Sequence, residues 1–322
     1  MMLTSKRSKL SLVLALTIVL TVTGFALKPS SPVLAADASG TTASIADILK
    51  NQQPDGGWKK DYSVTSGEWA KSTIDNKATY TEIRRLAGEY AKTKDSKYSQ
   101  AAIKGINFLL NMQYSNGGWP QVYQGTGYHK HITYNDNAMI NVMILLDEVG
   151  SKKGDFSFVD TALADRSKAA VVKGVSAILA TQVKVNGQLT VWGQQHDSVT
   201  LQPAGARAYE VPSLCASESV GIVKFLKTRP ATPQITAAIQ AAENWFKQVK
   251  ITGIKVVKTS DDVIVMEDPS APPIWARFYE IGANKPIFVG RDGVVKYKLS
   301  DIDQERRTGY SWYGNWPSGL VN

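Results

Sequence analysis

Apolar residues recur at helical spacing through the first two-thirds of this chain. Tyr80, Ile83, Leu86, Ala87 and Tyr90 form one stripe, Ile103, Ile106, Leu109 and Leu110 a second, and Met139, Val142, Met143 and Leu146 a third. Ala169, Val172, Val175, Ile178 and Leu179 form a fourth, Val220, Ile222, Val223 and Leu226 a fifth, and Ile235, Ile239, Ala242, Trp245 and Val249 a sixth. Steps of three and four residues place such positions on one face of an α-helix, so six helices are predicted. The last third reads differently. Ile254–Lys258 and Val263–Met266 are β-branched runs around Ser260-Asp261-Asp262, and Ile287–Gly290 and Val294–Tyr297 flank Arg291-Asp292-Gly293. Both read as hairpins. The expectation is a mainly α fold with short β additions in its C-terminal third.

The segments ahead of the helices repeat. Gln53-Pro54-Asp55-Gly56-Gly57-Trp58 resembles Gln113-Tyr114-Ser115-Asn116-Gly117-Gly118-Trp119, and seventeen residues after each tryptophan comes an Asp-Asn pair, Asp75-Asn76 and Asp136-Asn137. A period of about sixty residues holds two helices, the mark of stacked or circular helical hairpins. A degraded third copy runs from Gln182 to Trp192 and reaches Arg207 in Ala206-Arg207-Ala208-Tyr209-Glu210, which Ala276-Arg277-Phe278-Tyr279-Glu280 echoes. Two repeats thus present carboxylates and two present arginines. The echo predicts that Arg207 and Arg277 are positioned alike, with Glu210 and Glu280 as their partners.

The N-terminus reads as an export signal at 1–35. Lys6, Arg7 and Lys9 precede an apolar run, and Val33-Leu34-Ala35 supplies a small-residue cleavage pattern. A lead-in at 36–44 and one domain at 45–322 follow. The formal charge of +9 includes four cations of the leader and none of the acids, so the remainder carries about +5. That suits a polyanionic substrate without requiring one. No Lys/Arg run or zinc-ligand spacing favours nucleic acid. The single cysteine, Cys215, excludes a disulfide framework and reads as a small buried residue in a helical pattern from Ser213 to Thr228. A secreted monomer with no membrane contact after cleavage is expected.

Asp and Asn are also favoured helix caps, which is the plain reading of either pair alone. Two pairs at matching distances ahead of neighbouring helices point further, to a hard oxygen-ligated cation such as Ca²⁺ or Mg²⁺. Two carboxylates are few for such an ion, so water or substrate would complete its shell. Trp58 and Trp119 read as structural; Trp312, Tyr313 and Trp316 read equally as core or as a saccharide platform. Lys130 and His131 stand close enough to Asp136 in sequence to face the same cleft.

These motifs resemble the family 10 polysaccharide lyases, pectate lyases with an (α/α)₃ toroid. The resemblance runs from about Ile45 to Gly319. Its most specific parts are Thr73–Asn76, Tyr134–Met139, Trp192–Asp197, Ala206–Leu214, Pro273–Glu280 and Phe288–Gly293. It implies Ca²⁺-dependent β-elimination of de-esterified homogalacturonan (polygalacturonate). Carried over, Asp75, Asn76 and Asp136 match calcium-site positions, Arg207 the base, and Arg277 and Arg291 the arginines that bind substrate carboxylates. Asn137 and Lys130 fall near the metal and the substrate respectively. A glycoside hydrolase using Asp75 and Asp136 as its carboxylate pair, or a non-catalytic pectin-binding module, are the alternatives.

Overall fold

All six stripes are helices. The computed structural model describes residues 42–321, so the leader at 1–35 and residues 36–41 of the lead-in lie outside the described residues. The helices are α1 (Ile45–Asn51), α2 (Tyr80–Thr93), α3 (Ser96–Met112), α4 (Ala138–Gly150), α5 (Thr161–Thr181), α6 (Ala216–Leu226), α7 (Pro233–Val249) and α8 (Gln304–Gly309). Helices α2 and α3, α4 and α5, and α6 and α7 pack as three successive hairpins. One row of neighbours is α2, α4, α6 and the other is α3, α5, α7. The fold is mainly helical, as an (α/α)₃ toroid requires, and among the described residues the strands form no barrel: they make one four-stranded sheet and four two-stranded ribbons. Both hairpins expected in the last third are present, pairing Ile254–Lys258 with Val263–Glu267 and Phe288-Val289 with Val295-Lys296. Helix α6 starts one residue after Cys215, which ends a short strand rather than sitting in the helix.

The two helix rows start differently. Asp95, Asp160 and Thr232 cap α3, α5 and α7 through their side chains, as the preference for these residues predicts. Thr79, Asn137 and Cys215 precede α2, α4 and α6 and make no side-chain cap. The carboxylates ahead of the uncapped row are therefore not used as caps.

One contact recurs in all four repeats. An α-helix leaves its last four carbonyls without intrahelical partners. The indole N–H groups of Trp58, Trp119, Trp192 and Trp275 donate to Ile48 O, Leu109 O, Ile178 O and Phe246 O at 2.8, 2.8, 2.7 and 2.8 Å. These carbonyls belong to the fourth residue from the end of α1, α3, α5 and α7. All four indoles are buried. The residue after each of the first three helices, Gln52, Gln113 and Gln182, donates its amide to Ala101 O, Ala170 O and Ala238 O of the next helix in that row, each at 2.9 Å. The turn between glutamine and tryptophan lies close to that helix too. A Cβ on Gly117 (φ +94°) would stand 2.0 Å from Lys173 O, so only glycine fits there.

Replacing Trp119 with Phe keeps an apolar ring and removes the N–H. The Leu109 carbonyl would then be buried without a donor, and Trp119→Phe should lower the unfolding free energy by about 1–3 kcal/mol, measured by denaturant titration. An unchanged midpoint would remove this cap from the account.

Candidate active site

The residue two after each capping tryptophan is Lys60, Gln121, Gln194 or Arg277. Its backbone fixes the register of the loops. The N–H groups of Thr73, Thr133 and Cys215 donate to Trp58 O, Trp119 O and Trp192 O at 2.9, 3.1 and 2.8 Å. Those of Ile74, Tyr134 and Ala216 donate to Gln121 O, Gln194 O and Arg277 O of the following repeat at 3.1, 3.0 and 2.9 Å. This alignment corrects the one obtained by counting from the tryptophans. Asp75 corresponds to Asn135, and Asn76 to Asp136. The third-repeat counterpart of Asp136 is Glu218, not Arg207.

Burial follows the corrected register. Asp75 and Asn135 are buried, whereas Asn76 and Asp136 are exposed. Asn76 (φ 46°) and Asp136 (φ 52°) are both left-handed, a conformation that Asn and Asp tolerate better than most residues. Each inner group is held from the next repeat: Gln121 Nε2 donates to Asp75 Oδ1 at 2.9 Å and Gln194 Nε2 to Asn135 Oδ1 at 2.8 Å. Arg277 Nη1 donates to Glu218 Oε1 at 2.7 Å. Lys60 Nζ lies 3.1 Å from Asp75 Oδ2.

Asp75, Asn76, Asp136 and Arg207 line one small cavity with Lys60 and Glu210. The amide oxygens of Gln121 and Gln195 in its wall are buried and accept no hydrogen bond. Among the described residues no cluster of three or more His, Cys, Asp or Glu is arranged to hold a metal ion. A cation here would therefore draw on amide oxygens, water or substrate as well as the two aspartates.

Arg207 and Arg277 are not positioned alike. Arg207 Nε donates to Glu210 Oε2 at 2.7 Å and its Nη2 donates to the other carboxylate oxygen, within a tight turn closed by Glu210 N–H on Arg207 O. Burial pulls this guanidinium down, but the Glu210 hydrogen bonds and charge outweigh it and raise its pKa above the usual arginine value. Arg277 is nearly buried and pairs with Glu218 rather than Glu280. Burial pulls it down as well, and Glu218 likewise outweighs that and raises its pKa. Arg291 is exposed and pairs with Glu305 at 2.9 Å. It shares the Tyr209 ring with Arg207, their guanidinium carbons lying 5.9 and 4.8 Å from its centre.

Four residues expected at the site do not line this cavity: Arg277, Arg291, Lys130 and Asn137. Lys130 is exposed, and its backbone carbonyl accepts Tyr114 Oη–H at 2.8 Å. Asn137 lies on a larger groove of about 1070 Å³ between α4 and α6, where a Cβ on Gly221 would come within 1.9 Å of Asn137 Oδ1. Trp312 is buried and donates to Arg306 O at 2.9 Å, so it is core rather than platform. Lys60, Gln121, Asn135 and Glu218 were missed from sequence. The common offset of two from each tryptophan would have found the two side chains that reach Asp75.

Asp136 is exposed as a residue but lines the cavity, and there its carboxyl is pushed up to about 6 by partial loss of solvent and then by the charges of Asp75 and Glu218, against the pull of Arg277 and Arg207. Among the described residues no Lys, Arg or His forms an ion pair with this carboxyl.

Residues 46–321 match the sequence profile of the family described as pectic acid lyase. The fold is similar to a family 10 polysaccharide lyase from Cellvibrio cellulosa, at 40% identity and a TM-score of 0.79, over 87% of this chain and 90% of that one. A point variant of that lyase in complex with trigalacturonic acid matches at the same identity and TM-score, over 87% and 91% of the two chains.

A folded-state pKa above the unfolded value makes ionised Asp136 destabilising. The penalty is complete above about pH 6 and is relieved as pH falls from there toward about 4, where the unfolded carboxyl also protonates. In chelator, Asp136→Asn should raise the melting temperature at pH 8 and have little effect near pH 4. Thermal scans across that range check this; a lower melting temperature at pH 8 would contradict it.

Proposed function

This chain belongs to the pectic acid lyase family and is a polysaccharide lyase acting on pectate, and on that premise we propose that Asp75, Asn76 and Asp136 hold Ca²⁺ while Arg207 takes the C5 proton of a galacturonate unit. The reading is carried by one observation: both aspartates and an arginine with a partly exposed side chain line the same cavity. The donor set suits a hard cation, since it is all oxygen, includes unpartnered buried amide oxygens, and includes a carboxylate, Asp136, with which no Lys, Arg or His of the described residues forms an ion pair. When bound, the ion would polarise the substrate carboxylate and offset charge that builds on it.

The remaining work falls to side chains of this chain. The C5 hydrogen lies next to a carboxylate, so its removal adds negative charge to a group that is already anionic. Cations aimed at that carboxylate stabilise the transition state. Arg277 and Arg291 are our candidates for charge-assisted contacts with substrate carboxylates. Burial fixes Arg277, and exposure leaves Arg291 free to exchange Glu305 for an incoming anion. Lys130 would act only on a part of the polymer that extends beyond the cavity, and Asn137 only along the adjoining groove.

Arg207 must lose a proton before it can accept one, and an unperturbed guanidinium is scarcely neutral below pH 10. Its ion pair with Glu210 makes this harder. The pair must open when the anionic saccharide enters, and activity should rise toward alkaline pH. We also infer export, from the basic and apolar leader that ends at Val33-Leu34-Ala35.

Ultraviolet absorbance of the unsaturated product from polygalacturonate should rise with Ca²⁺ and be abolished by excess chelator. Arg207→Lys should lose nearly all turnover while still binding oligogalacturonate; substantial residual turnover would remove Arg207 from the role. Glu210→Gln should move the rising limb of the rate to lower pH, because it removes the interaction that raises the Arg207 pKa. A rate profile that stays in place would show that the resting ion pair does not govern the base.

A further inference from the structure

We propose that Lys60 is a resident counter-ion that occupies Asp75 until substrate draws it away, and so couples metal loading to saccharide binding. The inference rests on the calcium reading above.

Both oxygens of Asp75 are engaged. Oδ1 accepts Gln121 Nε2 at 2.9 Å, and Oδ2 faces Lys60 Nζ at 3.1 Å. The Lys60 ammonium also stands 3.3 Å from the centre of the Trp69 ring, a cation–π contact that holds it over the cavity. Its side chain retains 21% exposure, so it is anchored but not enclosed. The repeat makes its charge informative. Lys60 occupies the position that is Gln121 and Gln194 in the next two repeats. Those amides hold the inner residue of the loop without bringing charge, and Gln121 already does so for Asp75. A second, charged donor on the same carboxylate is not needed to fix the loop. It does neutralise Asp75.

A divalent ion at Asp75 and an ammonium on Oδ2 repel each other, so metal binding must displace Lys60 or proceed at reduced affinity. Displacement leaves the ammonium without its carboxylate partner at the cavity wall. A galacturonate carboxylate entering the same cavity supplies a new one. Saccharide binding then frees Asp75 for metal, and metal binding frees Lys60 for saccharide. This coupling is reciprocal by thermodynamic necessity.

The test is calorimetric titration of Ca²⁺ into the whole protein without saccharide, comparing wild type with Lys60→Met and Asp75→Asn. Methionine keeps an unbranched apolar stem beside Trp69 and removes the charge. Lys60→Met should bind Ca²⁺ about tenfold tighter than wild type, and Asp75→Asn should bind far more weakly. As a second readout, the Ca²⁺ concentration for half-maximal rate should fall as polygalacturonate rises in wild type and stay constant in Lys60→Met. Wild-type binding with equal or weaker binding by Lys60→Met would overturn the counter-ion role and leave the calcium reading standing. No Ca²⁺ binding by either protein when the titration is repeated with trigalacturonate present would overturn the calcium reading, and this inference with it.

Discussion

An indole N–H on an orphan carbonyl is the contact on which the rest of this architecture depends. Helices α1, α3, α5 and α7 each end with carbonyls that must find donors. The tryptophan that supplies one is also a large buried ring, so the chain after the helix cannot leave until it has crossed back over the helix end. Glutamine at the helix terminus then ties that end to the next helix in the row. With both ends of the turn fixed, the residue two beyond the tryptophan projects at the same place in every repeat. Lys60, Gln121, Gln194 and Arg277 are four chemical answers to one backbone position.

Those answers divide structural from chemical duty. Gln121 and Gln194 satisfy a buried carboxylate and a buried amide in the preceding repeat. Arg277, at the same backbone position, meets Glu218, the counterpart of Asp136 rather than of Asp75, in a buried ion pair, which is costly to desolvate and seldom favoured for stability alone. Its charge fits the substrate-carboxylate contact proposed for it above. The helices on that side begin without side-chain caps, and the Asp and Asn side chains that could have capped them line the site instead.

Much of this was legible in the sequence because helical periodicity and the Gly-Gly-Trp turns are local patterns. Helices α2 to α7 and both hairpins follow from spacing and turn chemistry alone, whereas α1 and α8 are too short to carry a stripe of that length. Two features were not legible, for identifiable reasons. Counting seventeen residues from each tryptophan treats Asp75 and Asp136 as equivalent, but the loop after Trp119 reaches its first ladder contact, at Thr133, one residue sooner than the loop after Trp58 does at Thr73. One residue is enough to exchange the buried and exposed members of each pair. The partner of Arg277 was also hidden. Glu280 is three residues away in sequence, whereas Glu218 is distant in sequence and comes close only because Ala216 forms its ladder contact with Arg277.

The resting charges explain how such a site can serve a polyanion without being a simple basic patch. Lys60, Arg207, Arg277 and Arg291 each rest on a carboxylate, those of Asp75, Glu210, Glu218 and Glu305. A bare row of four cations would hold any pectate segment by charge alone, and binding substrate and transition state equally would not accelerate the chemical step. With partners in place, and on the roles proposed above, an incoming galacturonate would have to exchange ion pairs, and only a chain in the right register would exchange several together. Asp136 is the cavity carboxylate that stands outside this pairing, and its pKa is raised first by loss of solvent and then by the charges of Asp75 and Glu218. On the proposed calcium reading, a positive ion bound there would complete the balance and so would belong to the charge design of the site.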